Sequence, residues 1–202
     1  DVYWFADMAA SEPSVETGLP TRPVATQRCS LGGAGNVVNN LVALGCRQVH
    51  AYGVLGNDPW GREMLHLLTD LGVNTTAMLT ESDRWATLTY IKPHLEDKEA
   101  NRFDFGNFNA LPDATAARLI EQLSRDLDKL DVVVINEQVP QGIHTPFLRR
   151  KLAELVQSAP EKIFVVDSRH YSDAYPGAYL KLNDHEAARM SGITRPYDSL
   201  IL

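Results

Sequence analysis

The second half of the chain alternates between continuous apolar runs and segments of helical periodicity. Continuous runs of β-branched and aromatic residues are typical of strands that are buried in a parallel sheet. The pattern predicts helices over residues 113–129, 144–157 and 184–190, and strands over residues 131–136, 162–167 and 179–183. This alternation predicts an α/β fold with an open, mostly parallel sheet that is flanked by helices on both faces.

The first half has shorter elements with clear start and stop signals. Asp58 as the N-cap, Pro59 at the first helical position and Gly72 as the stop predict a helix over residues 59–71. Further on, β-branched and aromatic residues predict two strands that are joined by a charged, exposed turn. The predicted strands of this half cover residues 48–54, 73–79, 85–92 and 101–105.

Two segments of the first half lack the signal of a central strand. Residues 1–5 start abruptly, without the apolar strand that normally opens an α/β domain. Residues 14–24 are rich in proline, threonine and glycine, and Pro20 and Pro23 exclude a central strand because proline has no backbone donor. This second segment is therefore predicted to be an edge strand or an excursion.

A glycine-rich stretch, residues 30–45, organises the first half. Gly32, Gly33 and Gly35 lead directly into an apolar stripe at helical spacing. Glycine lets the backbone approach a ligand closely, and the unpaired N–H groups at a helix start favour a polar or anionic ligand. Asn36 is placed where its amide could cap the helix or bind a hydroxyl group. A glycine-rich turn with a capped helix and no ligand is the alternative.

Two common phosphate-binding loops do not fit this stretch. A Walker-type loop needs a Lys-Ser/Thr pair after its last glycine, and none follows Gly35. In a dinucleotide-binding fingerprint, the third glycine would fall at the position of Val38. Residues 26–30 are also too polar for the buried strand that should precede such a fingerprint. Both interpretations fail on their context, so an NAD-linked dehydrogenase is the least favoured function.

Composition and charge argue against several classes of protein. The 202 residues carry a net charge of −7 with no Lys/Arg cluster, which argues against a nucleic-acid surface. No apolar run approaches the roughly 20 residues of a membrane span. Cys29 and Cys46 are too few for a disulfide scaffold, and neither they nor the histidines have metal-binding spacing. The composition predicts a soluble cytoplasmic protein without nucleic-acid or membrane partners.

Polar residues stand at the carboxyl ends of three successive predicted strands. The three groups are Asn136-Glu137-Gln138, Asp167-Ser168-Arg169 and Asn183 with Glu186. In open α/β sheets, ligands bind beyond the carboxyl ends of the strands. A single strand that ends in polar residues is common, because a loop follows it. Three successive strands that end in this way predict a binding site.

The glycine-rich stretch also resembles a known family. The first signature of the ribokinase-like (PfkB) sugar kinases is similar to Gly32-Gly33-Ala34-Gly35-Asn36, followed by a helix, Gly45 and residues 49–61. Within that family, the chain is most similar to the heptose-phosphate kinase branch. Val38 and the late Gly56 depart from the pattern of that branch.

The resemblance covers most of residues 1–192 and implies a fold. It implies one ribokinase-like domain over residues 1–202, incomplete at both ends, with a small β-sheet lid. Strands near residues 15–25 and 85–105 would form this inserted lid. Because family members often pair their lids, a homodimer through the lid is expected.

The resemblance also implies residues that contact the substrate. Asp1 matches the aspartate that holds sugar hydroxyl groups in the family, and a carboxylate can accept two such hydrogen bonds. The full set of candidate substrate residues is Asp1, Gly32, Gly33, Asn36, Arg102 and Gln138. If the acceptor carries a phosphate, the available lid cations are Arg84, Lys92 and Arg102.

A second set of residues resembles the family's nucleotide and metal site. Asn183 and Glu186 match an Asn-x-x-Glu motif that positions Mg²⁺, largely through water, near the nucleotide phosphates. Asp167 and Arg169 resemble an element near the transferred phosphate, and Asn183 joins them as a nucleotide contact. A capping arrangement of Asn183 and Glu186 is the alternative, and both roles can hold at once.

These expectations define a function and leave one alternative open. The family resemblance implies an ATP-dependent, Mg²⁺-requiring kinase that phosphorylates a hydroxyl group of a sugar or a sugar phosphate. The family's Gly-Ala-Gly-Asp segment, which supplies the catalytic base and an anion hole, has no counterpart in these 202 residues. Catalytic residues are therefore unassigned, and a sugar-binding or regulatory module without catalysis is the alternative.

Overall fold

The computed structural model describes residues 1–192, and the chain divides into two compact units at Thr115 and Ala116. The first unit contains β1 (Val2–Ala6), β2 (Val24–Cys29), α1 (Ala34–Ala43), β3 (His50–Gly56), α2 (Pro59–Asp70), β4 (Asn74–Glu81), β5 (Thr89–Leu95), β6 (Lys98–Glu99) and β7 (Phe103–Phe105). Helix α3 (Asp113–Asp126) begins at the boundary, and the second unit continues with β8 (Val132–Glu137), α4 (Pro146–Ser158), β9 (Ile163–Ser168), β10 (Tyr179–Leu180) and α5 (Asp184–Ser191). Among the described residues, no helix is long and apolar enough to cross a membrane.

The second unit has the parallel sheet that its apolar runs predict. Its strand order is β10-β9-β8, and both neighbouring pairs are parallel. Ile135, Phe164 and Val166 point to one face of this sheet and are at most 4% exposed. Burying a side chain of this size contributes roughly 2 kcal/mol, so this face supplies much of the unit's stability. Helix α4 begins two residues later than predicted, because Pro146 disfavours a helical residue before it.

The first unit contains a second parallel pair and its own core. β3 and β4 are parallel, and the core cluster consists of Leu31, Ala51, Leu68 and Val73, with side chains of α1 and α2 packed against it. The predicted signals of α2 are confirmed. The Asp58 carboxylate accepts a hydrogen bond from the Gly61 N–H at 2.7 Å, Pro59 occupies the first turn, and Gly72 follows the helix with a φ of +72°.

A mixed sheet of five strands, the lid sheet, makes up the rest of the first unit. Its order is β2-β1-β5-β6, with β7 also paired to β5. β1 is antiparallel to β2 and parallel to β5. The two strands predicted over 85–92 and 101–105 are present as β5 and β7, with later starts at Thr89 and Phe103.

Two expectations for the lid sheet were wrong. Residues 1–5 were not predicted as a strand, yet β1 lies between β2 and β5 and is held by both. The first lid strand begins at Val24 rather than near residue 15, because Pro20 and Pro23 cannot donate to a ladder. Before Val24, the pairing of this segment is an isolated bridge between Pro13 and Pro20.

Candidate functional site

The glycine-rich loop before α1 contains three glycines with different structural roles. Gly33 is the N-cap of α1 and has a φ of +48°, a conformation that other residues rarely adopt. At Gly35, a Cβ would lie 2.8 Å from the Cβ of Leu31, so this glycine allows the helix to pack on the loop. At Gly32, a Cβ would lie 3.4 Å from Asp1 Oδ2. Gly32 therefore leaves space directly beside a carboxylate.

Asp1 is the acidic group of this part of the first unit. Its backbone carbonyl accepts a hydrogen bond from Ser30 N at 2.9 Å, which ties it to the start of the glycine-rich loop. Its Oδ2 lies 3.4 Å from Lys92 Nζ of β5, and the Asp1 side chain is 18% exposed. The structure thus brings Asp1 and Gly32, two of the predicted substrate contacts, together. Lys92, one of the three lid cations available for a phosphate, forms an ion pair with Asp1.

Asn36 does not cap α1, so that part of the prediction was wrong. The cap is Gly33, which has no side chain, and the Asn36 N–H donates to the Gly33 carbonyl at 3.1 Å. Because the loop reaches the helix one turn earlier than expected, the Asn36 side chain lies on the exposed surface of the first helical turn. A contact between this amide and a sugar hydroxyl group stays a prediction.

Arg102 is held within the lid sheet by two groups. It donates from Nε to Asp104 Oδ1 at 2.5 Å and from Nη2 to Asp104 Oδ2 at 2.7 Å. The guanidinium group also lies 4.0 Å from the centre of the Tyr90 ring. Hydrogen bonding to Asp104 raises the pKa of Arg102, so the group is a permanent cation. Two of its donors are already used, which weakens the case for Arg102 as the main ligand of a substrate phosphate.

A cleft of about 440 Å³ lies along one face of the lid sheet. It is lined by Tyr3, Phe5, Arg28, Cys29, Ser30, His94 and Glu99. Tyr3 and Phe5 alternate with buried Val2 along β1, so they share the face on which Asp1 precedes them. We call Tyr3, Phe5, Arg28, Lys92 and His94 the aromatic face.

Contacts within the aromatic face combine rings with cations. His94 stacks on Phe5 with ring centres 4.9 Å apart, and Arg28 lies 5.4 Å from the centre of the same ring. Lys92 Nζ lies 5.1 Å from the centre of the Tyr3 ring. In the part of the chain that the structure describes, His94 Nε2 is buried and has no hydrogen-bond partner. Sequence reasoning missed Arg28 and His94, because only the pairing of β1 with β2 and β5 brings them beside Asp1.

In the second unit, the polar ends of β8 and β9 are joined by hydrogen bonds. Gln138 Nε2 donates to the Asp167 carbonyl at 3.0 Å, and Gln138 Oε1 accepts from Arg169 Nε at 3.1 Å. The Arg169 N–H donates to the Glu137 carbonyl at 3.1 Å. Gln138, a predicted substrate contact, therefore holds the predicted nucleotide contacts Asp167 and Arg169.

The Asp167 carboxylate has cationic and amide partners of its own. Lys181 Nζ lies 3.3 Å from both carboxylate oxygens, and Asn136 Nδ2 lies 3.5 Å from Oδ2. The Asp167 side chain is 19% exposed, whereas that of Lys181 is 62% exposed. This exposed cation beside a largely covered carboxylate is placed to compensate negative charge at the strand ends. Sequence reasoning missed Lys181, because it fell within the strand predicted over residues 179–183, whereas β10 ends at Leu180.

Asn183 and Glu186 form the capping arrangement that the sequence left open. Asn183 Oδ1 accepts from the Glu186 N–H at 2.8 Å, and Glu186 Oε2 accepts from the Asn183 N–H at 2.9 Å. Within the described residues, no group of three or more His, Cys, Asp or Glu side chains could hold a metal ion directly. One carboxylate beside an amide nevertheless suits Mg²⁺, which retains several of its water ligands in proteins. The metal role of this pair stays a prediction.

Parallel strands with polar carboxyl ends, and a lid sheet with an acidic group beside a glycine loop, are typical of α/β proteins that bind small polar ligands. Sequence comparison gives the family. The family model for pfkB family carbohydrate kinases matches residues 6–199, and the chain belongs to this family. Among curated proteins, it is 31% identical over 188 residues to the bifunctional protein HldE of Geobacter sulfurreducens, covering 91% of this chain and 37% of that protein. The identity to HldE of a Caulobacter species is 30% over 195 residues, covering 95% of this chain and 38% of that protein.

Solved structures agree with the fold. Escherichia coli phosphofructokinase-2 in complex with fructose-6-phosphate superposes with a TM-score of 0.63 at 19% identity, covering 98% of this chain and 63% of that one. Ribokinase from Giardia lamblia gives a TM-score of 0.60 at 21% identity, covering 96% and 61%. The comparisons confirm the ribokinase-like α/β fold and the resemblance to the heptose-phosphate kinase branch of the PfkB family. The chain spans about two-fifths of the length of these curated relatives.

Proposed function

We propose that this chain is the acceptor-binding part, with some of the nucleotide-binding part, of an ATP-dependent sugar kinase. The whole protein would transfer the γ-phosphoryl group of ATP to a hydroxyl group of a sugar or a sugar phosphate. The observation that supports this most is the Asp1 carboxylate, which lies beside Gly32 and Lys92 at the base of the lid sheet. Membership of the pfkB family supports the same function. A cytoplasmic location belongs to this proposal as well.

In this proposal, the residues of the first unit orient the acceptor. Asp1 accepts hydrogen bonds from two sugar hydroxyl groups, and the ion pair with Lys92 holds its carboxylate in place. Gly32 and Gly33 allow the sugar to approach the backbone, and the Asn36 amide binds a further hydroxyl group. Fixing an acceptor in this way converts binding energy into orientation, which is a large part of catalysis of phosphoryl transfer.

The residues of the second unit would bind the nucleotide and its metal. Asp167, Arg169 and Asn183 would contact the phosphates, and Asn183 and Glu186 would hold hydrated Mg²⁺. The ion would neutralise the charge on the transferred phosphoryl group when bound. No residue is assigned as the catalytic base, since the sequence contains no Gly-Ala-Gly-Asp segment.

Glu186→Gln should raise the Mg²⁺ concentration needed for half-maximal activity by roughly tenfold, while the fold is retained. Glutamine still satisfies the capping box of α5, so the change removes a charge and keeps the cap. The measurement is phosphate transfer from ATP to a panel of sugars by the full-length protein at varied Mg²⁺. Exposed Glu161→Gln is the control. An unchanged Mg²⁺ dependence would contradict the metal role, and sugar binding without any turnover would favour the binding module.

The aromatic face supports an acceptor that already carries a phosphate. Arg28 lines the cleft, and no carboxylate is recorded as its partner in the described part of the chain. Arg102 is engaged by Asp104, and Arg84 lies in the loop before β5. We therefore infer that Arg28, more than Arg84 or Arg102, binds a phosphate at the far end of the acceptor. Arginine suits this role because its planar fork binds two phosphate oxygens.

Arg28→Ala should raise the KM for a phosphorylated sugar by about 10- to 100-fold, because a charge-assisted hydrogen bond is lost. The KM for the unphosphorylated sugar should change little, so the ratio of the two constants is the measurement. The double variant Arg84→Ala/Arg102→Ala tests the cations named from the sequence. A constant ratio in Arg28→Ala would remove the basis for assigning phosphate binding to this residue.

A homodimer through the lid sheet is a further part of the proposal. Phe103 and Phe105 of β7 are 53% and 41% exposed, whereas Trp85, the first residue of the strand predicted over residues 85–92, is 6% exposed. Trp85 donates from its indole to the Val54 carbonyl at 3.3 Å, so it belongs to the core of the first unit. The exposed Phe103 and Phe105 rings of β7 are the side chains that favour contact with a second copy of the chain.

The double variant Phe103→Ser/Phe105→Ser should shift a dimer towards monomer, because it removes apolar area from the proposed contact. Light scattering of the full-length protein at micromolar concentration measures this. Phe108→Ser is the matched control, since Phe108 is 97% exposed and lies outside β7. A wild-type monomer at this concentration would be incompatible with the dimer.

A further inference from the structure

The second unit contains a buried ionic cluster that the proposed function does not use. Glu137, at the end of β8, is 5% exposed. Its Oε1 accepts a hydrogen bond from Arg149 Nη2 at 2.6 Å. Its Oε2 accepts from Ser168 Oγ and from the Tyr175 hydroxyl group, both at 3.2 Å. Both oxygens of the carboxylate are therefore satisfied by groups from three other segments of the unit.

Arg149 extends this cluster into the surrounding loops. Its Nη2 also donates to the His144 carbonyl at 2.9 Å, and its guanidinium group lies 3.5 Å from the centre of the Tyr171 ring. Ser168 Oγ in turn accepts from the Tyr171 N–H at 3.1 Å. The Glu137–Arg149 pair thus connects the ends of β8 and β9 with the start of α4 and the loop after β9.

The charge of the cluster is fixed at neutral pH. Burial lowers the pKa of His144 to about 4, so its imidazole is uncharged. Burial, together with the nearby Glu137 carboxylate, raises the pKa of Tyr175 well above its usual value, so its hydroxyl group remains a donor. Arg149 is therefore the cation that compensates Glu137.

The cluster lies directly next to the predicted nucleotide contacts. The Glu137 carbonyl accepts from the Arg169 N–H at 3.1 Å. The next residue, Gln138, binds the Asp167 carbonyl and Arg169 Nε. A displacement of Glu137 would consequently move the backbone that holds both Asp167 and Arg169.

We propose that the Glu137–Arg149 pair is a positioning element that holds the nucleotide-binding ends of β8 and β9 in one arrangement, an inference that rests on the proposed kinase function. Stability alone is a poor reason for such a pair, because well-packed apolar residues of similar volume are often as stable or more stable. Arg149 Nε is buried without a hydrogen-bond partner within the described residues, which adds a further cost. The pair lies at the carboxyl ends of parallel strands, where ligands bind. A role in holding these ends explains why the pair is present despite its cost in stability.

The test compares stability with nucleotide affinity in the full-length protein. Arg149→Met alone leaves the Glu137 carboxylate without a cation and should lower both the thermal stability and the ATP affinity. The double variant Glu137→Leu/Arg149→Met replaces the ion pair with apolar side chains, so its thermal stability should recover in part, although the Ser168 and Tyr175 hydroxyl groups lose their acceptor. Its ATP affinity, measured by titration calorimetry, should remain roughly tenfold or more below that of the wild type, since the loops lose their fixed arrangement. Sugar affinity should be unchanged in both variants.

A matched control lies on the same helix. Lys151 and Glu154 form an exposed ion pair on α4, with side chains 39% and 53% exposed, and Lys151→Met/Glu154→Leu should leave ATP affinity unchanged. Tyr175→Phe removes one donor to Glu137 and keeps the ion pair. This variant should fold and should lose less ATP affinity than the double variant. It therefore tests the inference even if the double variant does not fold.

Two outcomes separate this inference from the proposed function. A wild-type protein that binds no ATP would overturn the proposed function and this inference with it. A wild type that binds ATP, with unchanged affinity in the folded double variant or in Tyr175→Phe, would overturn the positioning role alone. In that case the cluster would serve the stability of the second unit.

Discussion

Gly61→Ala should destabilise the protein by about 3 kcal/mol, even though it replaces glycine with the best helix former. Gly61 lies in the first turn of α2, and alanine there would gain up to about 1 kcal/mol in helix propensity. A Cβ at this position would, however, lie 2.3 Å from the Gly56 carbonyl oxygen and 2.9 Å from Thr87 Oγ1. Because the closest atom is backbone, the clash cannot be relieved by a rotamer change. Steric overlap therefore outweighs propensity.

The surroundings of Gly61 explain why the backbone cannot move away. The Asp58 carboxylate accepts from the Gly61 N–H at 2.7 Å and from the Thr87 N–H at 2.8 Å. The Gly56 N–H donates to Thr87 Oγ1 at 2.9 Å in a buried position. A shift of α2 away from Gly56 would strain the hydrogen bonds of Asp58, which link the start of the helix to Thr87.

Denaturant unfolding of the full-length protein measures the effect of Gly61→Ala. Arg62→Ala, at the next and exposed position of α2, is the control and should change the free energy of unfolding by less than about 0.5 kcal/mol. Gly61→Ala with wild-type stability would mean that α2 and the Gly56 turn do not pack as closely as the structure has them.

Local signals were sufficient for several elements. Asp58, Pro59 and Gly72 define the ends of α2 because capping and proline placement depend on adjacent residues. The apolar runs of β8 and β9 predicted both strands, even though Val132, Val134 and Ile163 on the second face of the sheet are 37–46% exposed. The capping box of Asn183 and Glu186 was also predictable from a spacing of three residues.

Long-range pairing was not predictable in the same way. β1 has a short, mixed pattern of aromatic and apolar residues, and its stability as a strand comes from β2 and β5, which are distant in the sequence. A cap by Asn36 was one of the two roles that the sequence allowed, because amide side chains are good caps, yet the loop ends earlier, at Gly33 with its positive φ. In both cases a tertiary contact or a loop conformation overrode the local preference.

The candidate site shows the same division. Asp1 and Gly32 were named from a family resemblance, and the structure places them side by side. The partners of Glu137 come from α4, β9 and the loop after β9, so no sequence spacing marks them. A signal was nevertheless present. Val133, Ile135 and Glu137 alternate along β8 and point to its inward face. A carboxylate at such an inward position needs a buried partner.

Asp1→Ala should have the largest effect on activity, a loss of roughly 100- to 10,000-fold in kcat/KM for the sugar. The carboxylate would accept two hydrogen bonds from hydroxyl groups, and each charge-assisted bond is worth about 1.5 to 3 kcal/mol. Removing it also leaves the Lys92 ammonium group without its recorded partner beside Gly32. Steady-state kinetics with the best sugar of the panel measures the loss. ATP affinity should stay the same, because the predicted nucleotide contacts are in the second unit.

Two further variants separate orientation from charge. Asp1→Asn keeps the volume of the side chain and one acceptor, so its activity should lie between those of the wild type and Asp1→Ala. Lys92→Met removes the cation and keeps the carboxylate, and it should reduce activity less than Asp1→Ala, since the hydroxyl acceptors remain. Exposed Asp83→Ala is the control for removing a negative charge from the first unit. If Asp1→Ala retained kcat/KM within about threefold of the wild type, less than one such bond is worth, Asp1 would not orient the acceptor. The acceptor would then be oriented by other groups, and Arg28 in the cleft along the aromatic face would be the next candidate.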